Sequence, residues 1–329
     1  MEANTHQTGP FQGSWNFLGL SEDLAAPARA RAWVLPIPYE GTTSYGAGTR
    51  NGPAAIIAAS RQVELFDREF DGEPAAEFGV HTMGPLGLVH RSPEAMVAAI
   101  EAAVADVFSG EKGTGTSHSS EPVPFSSPLS PRAPDLLAVL GGEHTISAGV
   151  VRGLAQAKGA GDLVAVQIDA HADLRDEYEG SPYSHACAAR RILETCPVFQ
   201  IGIRNISAAE EQFRRQSSRV ETVFAEEAVA GSDWLGELAR FVRGKQVFLT
   251  IDLDGLDPSI MPAVGTPEPG GLSWARTLDI VRVVCREAAR VPVFDVVELA
   301  PIPGLIAPDF LAARLVYKIT SLVLMPRRA

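Results

Sequence analysis

Only three cysteines occur in the 329 residues, Cys187, Cys196 and Cys285, at no paired spacing. That argues against a disulfide framework and suits a reducing, cytoplasmic setting. No apolar run approaches the ~18 residues of a membrane span. The opening MEANTHQTGPFQGSWNF has no basic segment followed by an apolar one, so no signal peptide is expected. Basic charge is scarce as well. The 28 Lys and Arg against 40 Asp and Glu leave a net charge of −12. Such a balance offers no footprint for nucleic acid or an anionic membrane, and it tolerates a cationic substrate.

What is present is an ordinary globular mixture, 46% hydrophobic and 21% charged, in a chain long enough to bury a sizeable core. Short apolar runs alternate with helical patterns. AWVLPI (32–37), LLAVLGG (136–142), LVAVQID (163–169), VFQIGIR (198–204), VETVFA (220–225), QVFLTIDLD (246–254) and VPVFDVVEL (291–299) read as strands. PEAMVAAIEAAVADVF (93–108), capped by the preceding serine, reads as a helix, as do ISAGVVRGLAQAK, HACAARRILET, DWLGELARFVRG and WARTLDIVRVVCREAAR. Nearly continuous apolar strands in βα alternation predict an α/β fold with a parallel sheet covered by helices on both faces. No internal repeat is visible. Residues 109–134, rich in Ser, Pro and Gly, read as a mobile insertion in a single domain spanning 1–329, and residues 1–14 as a flexible arm.

In an open parallel sheet, ligands bind at the carboxyl ends of the strands. Those ends carry a pattern here. After LLAVL comes GGEH, delivering His144; after LVAVQI come Asp169, His171 and Asp173; after VFLTI come Asp252 and Asp254; Glu298 ends a further strand. Residues two apart on an extended chain point the same way, so each cluster is expected to converge. Four carboxylates and two imidazoles suit divalent Mn, Co, Fe or Zn better than a thiolate site. Six ligands exceed the need of one tetrahedral zinc. They suit two ions sharing a carboxylate and a water at the ~3.5–4 Å separation of two-metal hydrolytic sites. A single Asp after a strand is most often a turn residue, and Asp257 reads as one. A lone His144 would usually be a satisfied core histidine. Three such strand ends in one chain favour the metal site.

GGEHT (141–145), DAHAD (169–173) and TIDLDGLDPSIMPAVGTPEPGG (250–271) resemble the three signature segments of the ureohydrolase family of arginases and agmatinases. PYEGTTSYGAGTRNGPAAIIAAS and DVVELAP extend the resemblance over nearly all of the chain. It implies a three-layer α/β/α fold and two Mn²⁺ per subunit, held by His144, Asp169, His171, Asp173, Asp252 and Asp254. It implies hydrolysis of a guanidino group to urea and an amine, with Asp173 orienting the attacking hydroxide. Glu298 would bind the guanidinium through charge-assisted hydrogen bonds. His185 would be the general acid that protonates the leaving amine, although Ala186 follows it where the arginase pattern has glycine. Glu143, where many relatives have Asp, receives little weight. TSYGAGTRNGP lacks the Lys-Ser/Thr ending of a phosphate cradle and reads as a turn.

DLRDEYEGSPYSHACAARR differs from the arginase loop, with Arg175 in place of its characteristic Asn, and is more like the agmatinase loop. Agmatine, giving putrescine and urea in polyamine biosynthesis, is therefore the expected substrate. A guanidino acid such as guanidinobutyrate is the alternative, with Arg175 as either a carboxylate ligand or a structural ion-pair residue. A non-catalytic scaffold would show broken metal motifs, and these are intact. A deacetylase would show a His-His pair, and a phosphatase a basic surface; neither occurs. The resemblance also implies a homotrimer or homohexamer.

Overall fold

The computed structural model describes residues 15–109 and 133–325. Eight strands form one all-parallel sheet: β1 (Ala32–Ile37), β2 (Val80–Thr82), β3 (Leu136–Gly141), β4 (Leu163–Ile168), β5 (Val198–Ile203), β6 (Val220–Phe224), β7 (Gln246–Asp252) and β8 (Arg290–Val297), in the order β2-β1-β3-β8-β7-β4-β5-β6. The order places β3, β8, β7 and β4 side by side. These are the four strands whose ends carry the candidate ligands, so residues distant in sequence meet at the sheet's centre.

The strands are apolar on both faces because both faces are covered. On β1, Ala32 and Val34 enter one core while Trp33, Leu35 and Ile37 enter the other. The first core is closed by helices Gly52–Ser60, Leu235–Val242, Trp274–Glu287 and Ala307–Leu324. Helices Pro93–Ser109, Ile146–Lys158 and Ala188–Ile192 close the second. Each fully buried Val, Leu, Ile or Phe contributes roughly 1.5–3 kcal/mol. This is the expected three-layer arrangement.

Several local expectations shift. Ser92 does cap its helix, accepting from the Ala95 N–H at 3.2 Å, but the helix runs through Ser109, which had been assigned to the insertion. The arm 1–14 and residues 110–132 lie outside the described residues. HACAARRILET is not one helix: His185–Cys187 form a tight 3₁₀ turn and only Ala188–Ile192 are α-helical. The convergence of the metal motifs is not strand alternation either. β4 stops at Ile168, and Asp173 adopts a left-handed backbone with φ +50°. Leu253–Gly255 coil into a 3₁₀ turn, its start capped by the Asp252 carboxylate. Carboxylates that cap their own neighbouring N–H groups curl the chain at the strand end, and the curl brings the side chains inward.

Candidate metal centre

His144 follows β3 through Gly141 and Gly142. A Cβ on Gly142 would stand 1.9 Å from the Tyr39 carbonyl oxygen, so only glycine lets the chain turn there. The His144 ring is buried among carboxylates: its Nδ1 lies 3.1 Å from Asp169 Oδ2, 3.1 Å from Asp173 Oδ2 and 3.4 Å from Asp252 Oδ2. His171 Nδ1 lies 2.9 Å from Asp254 Oδ2 and 3.8 Å from Asp169 Oδ1. Two ligand groups result, His144–Asp169–Asp252 and Asp169–His171–Asp254, each with donor atoms within 4.8 Å of one another. Asp169 belongs to both. All six expected ligands are thus brought together, with Asp173 against His144.

The fit to cations can be tested on His144. Its Nε2 stands 3.0 Å from Thr250 Oγ1, and Thr250 pairs in register with the buried Asp295. Ser147 Oγ donates to Asp295 Oδ2 at 2.7 Å and lies 3.4 Å from Thr250 Oγ1, so the Thr250 hydroxyl can donate to Ser147 while its oxygen accepts the Nε2 proton. Nδ1 then presents a lone pair to three carboxylates and has no hydrogen-bond partner. A buried lone pair facing acceptors is unfavourable unless a cation lies between them. The site therefore fits divalent metal.

The carboxylates are themselves held. Asp169 accepts from Gln167 Nε2 at 2.7 Å and from the His171 N–H at 2.6 Å. Asp254 accepts from the Ala170 N–H at 3.0 Å, and Asp252 from the Asp254 N–H at 2.9 Å. In the chain by itself, burial and the neighbouring Asp173 and Asp254 push Asp169 up to about 7. Burial with Asp254 and Asp169 pushes Asp252 well above its ordinary value. Burial opposes a charge on His171, but Asp254 outweighs it and raises the imidazole to about 11.

Glu298, one residue past β8, also has a left-handed backbone, φ +67°, and accepts from the His144 N–H at 2.6 Å. Strain of this kind persists where surrounding contacts over-determine it. Burial, then Glu143, pushes its carboxyl well above the usual range. His185 enters from the 3₁₀ turn, its ring perpendicular to Tyr178 at 6.0 Å. Both line a cavity of about 190 Å³ together with His144, His171, Asp173, Asp252 and Asp254. Arg175 lines it too. Its guanidinium lies 4.9 Å from the Tyr178 ring centroid and 3.8 Å from Glu210, so its charge already faces a carboxylate.

Asp257 is a turn residue as expected, accepting from Ser259, Gly270 and Gly271 N–H groups at 3.0 Å. The loop TSYGAG is more than a turn: Thr43, Ser44, Tyr45 and Gly46 form a wall of the cavity. The sequence reading missed Thr250 and Asp295 behind His144, and gave Glu143 too little weight. A lone Asp inside the apolar run VPVFDVVEL was the available signal for Asp295.

An all-parallel α/β sheet that gathers His and Asp side chains from three strand ends, with Glu298 at the end of a fourth between them, has the architecture suited to a binuclear-metal hydrolase. The comparisons agree. The pattern of the arginase family matches residues 30–321. The N(1)-aminopropylagmatine ureohydrolase of Synechocystis is 38% identical over 303 residues, 91% of each chain. The agmatinase of Halalkalibacterium halodurans is 30% identical, covering 83% of this chain and 85% of that one. The crystal structure of agmatine ureohydrolase of Thermoplasma volcanium superposes with a TM-score of 0.73 at 27% identity, over 91% of this chain and 93% of that one. The chain belongs to the arginase family and is a ureohydrolase of agmatinase-like type. Among the described residues, no helix is long and apolar enough to cross a membrane.

Proposed function

We propose that the protein releases urea from a polycationic guanidino amine, with N(1)-aminopropylagmatine ahead of agmatine, using two Mn²⁺. The observation that carries the substrate choice is similarity over nearly the whole chain: 38% to an aminopropylagmatine ureohydrolase against 30% to an agmatinase. Agmatine alone, the expectation from the loop after DAHAD, becomes the second choice. The cavity lining supports a cation over a guanidino acid. With Asp173, Asp252 and Asp254 committed to the two cations, Glu298 is left as the uncommitted carboxylate of the lining, and the single Arg175 already faces Glu210.

Two divalent cations held by the six ligands would supply an activated water at neutral pH. The protein's own groups then do the following. Glu298 takes the guanidinium in a charge-assisted contact and orients its carbon toward the ligand cluster. Asp173, beside His144, directs the attacking water. His185 protonates the departing nitrogen, so that the C–N bond breaks with its electron pair on a neutral amine.

The test is urea release by the manganese-loaded protein from aminopropylagmatine, agmatine, arginine and guanidinobutyrate. The expected result is kcat/KM highest for aminopropylagmatine. Preference for a carboxylated substrate would overturn the reading.

A further inference from the structure

Glu143 is fully buried behind the loop whose residues 43–46 form a cavity wall. Its Oε2 accepts from the Gly41 and Thr42 N–H groups, each at 2.7 Å, and its Oε1 from the Thr42 hydroxyl at 2.8 Å. A hydroxyl has one hydrogen, and here a carboxylate takes it. Toward His185, Thr42 Oγ1 therefore acts as an acceptor. It receives the His185 backbone N–H at 2.9 Å and lies 3.4 Å from the ring Nδ1. Thr145 Oγ1, 3.3 Å from Thr42 Oγ1, has a carbonyl to donate to, that of Tyr183 at 3.3 Å. Ser184 Oγ lies 3.3 Å from the same ring nitrogen. The other nitrogen, Nε2, is 3.4 Å from Ser44 Oγ on the cavity wall.

We infer that Glu143, acting through the Thr42 hydroxyl, is a positioning residue that keeps the His185 proton on Nδ1 and leaves Nε2 to give up its proton in the cavity. This rests on the reading of His185 as the general acid. A charged imidazole carries hydrogens on both nitrogens and, on losing one, must choose a tautomer. An acceptor at Nδ1, itself polarised by a carboxylate, favours the Nδ1–H form. The proton transferred is then always that of Nε2, which passes to the leaving nitrogen as the C–N bond breaks. Without Glu143 the Thr42 hydroxyl is free to rotate and donate to Nδ1, and the ring then holds its proton at Nε2.

Thr42 carries the test, because Glu143 adjoins a metal-ligand candidate and its variant can lose metal. Steady-state kinetics on aminopropylagmatine and agmatine would compare Thr42→Val, Thr42→Ser, Glu143→Gln, His185→Asn and the double Thr42→Val/His185→Asn, with metal content measured for each. General acid catalysis contributes roughly 10²–10⁴-fold, and its partial loss predicts kcat down about 10-fold or more in Thr42→Val with KM within about threefold. Thr42→Ser should restore kcat, and Thr42→Val should cost nothing further once His185 is gone. Losses that multiply in the double variant, or an unaffected Thr42→Val, would overturn the inference. Wild-type kcat in His185→Asn would overturn the general-acid reading itself, and this inference with it. Side-chain nitrogen NMR of His185 in the metal-free protein reads the tautomer without turnover. Nδ1–H is expected in the wild type, and Nε2–H there would sink the inference.

Discussion

His144 Nδ1 and Asp169 Oδ2 stand 3.1 Å apart in a fully buried site, a spacing that either a proton or a metal ion can occupy. A proton at Nδ1 would be opposed by burial but held by Asp169, Asp173 and Asp252, raising the imidazole well above its ordinary value. Proton and divalent cation thus compete for one place, and the ligand set is specific to neither until pH decides.

Metal removal should follow the geometry of sharing. Asp169 belongs to both ligand groups, whereas His171 belongs to one. Asp169→Asn is expected to retain less than about one metal per chain, and His171→Asn about one of two. Elemental analysis after gel filtration checks this. Equal losses from the two variants would mean that Asp169 does not bridge.

Stability should respond to pH with opposite trends in loaded and stripped protein. In the stripped chain Asp169 is raised from 3.8 to about 7, so the folded state binds its proton more tightly than the unfolded state does. That contribution is present below pH 3.8 and is lost as pH rises through about 7. His171, raised from 6.5 to about 11, likewise stabilises below 6.5 and loses that contribution as pH climbs through about 11. Metal binding, which must displace these protons, strengthens over the same range. The gap in Tm between manganese-loaded and chelator-treated protein should therefore widen from pH 5.5 to 8.5. A constant gap in a thermal-shift series would contradict the assignment.

The strand runs were legible because parallel strands covered on both faces are continuous apolar segments, as Leu163–Ile168 shows by being buried at every position. β2 is three residues at the sheet edge, too short to leave a pattern. The helix Ala208–Gln216 is polar with only Glu210 buried, and Ala307–Leu324 is buried around much of its circumference, so neither shows a clean apolar stripe. The first did carry a readable sign, the Ser207–Glu210 capping box. The ligand residues stood out because strand ends collect them. Thr250, Asp295, Thr42 and Glu143 did not, since their meaning lies in contacts across the sheet or between loops. Thr250 meets Asp295 through β7–β8 register, and Thr42 meets Glu143 across 101 residues.

Glu298 offers a trade between stability and function. Its carboxyl is raised well above the usual range by burial and then by Glu143, so the charged form costs stability as pH rises past the ordinary carboxylate range. Glu298→Gln keeps a carbonyl oxygen to accept the His144 N–H, now 2.6 Å from the carboxylate. The stripped variant should melt higher than stripped wild type at pH 8. Its kcat/KM should fall roughly 10²-fold, about 2.7 kcal/mol, for want of a charged partner to the guanidinium. A variant with wild-type kcat/KM would remove Glu298 from substrate binding.

The cavity lip bears on substrate length. Tyr45 is 83% exposed on the wall that also carries Ser44 and Gly46. A Cβ on Gly46 would lie 2.5 Å from the Gly265 carbonyl oxygen, so backbone contact with the 265 loop fixes where that lip sits. On the proposed reading, an aminopropyl arm extends past the point where agmatine ends, and the exposed Tyr45 ring is placed to meet its terminal ammonium. An exposed cation–π contact is worth about 0.5–1 kcal/mol. Tyr45→Ala is therefore expected to raise KM for aminopropylagmatine by about threefold, leave KM for agmatine unchanged and leave kcat unchanged for both. Equal effects on the two substrates would place the distal amine elsewhere along the wall, and no effect on either would put Tyr45 outside the path of the longer chain.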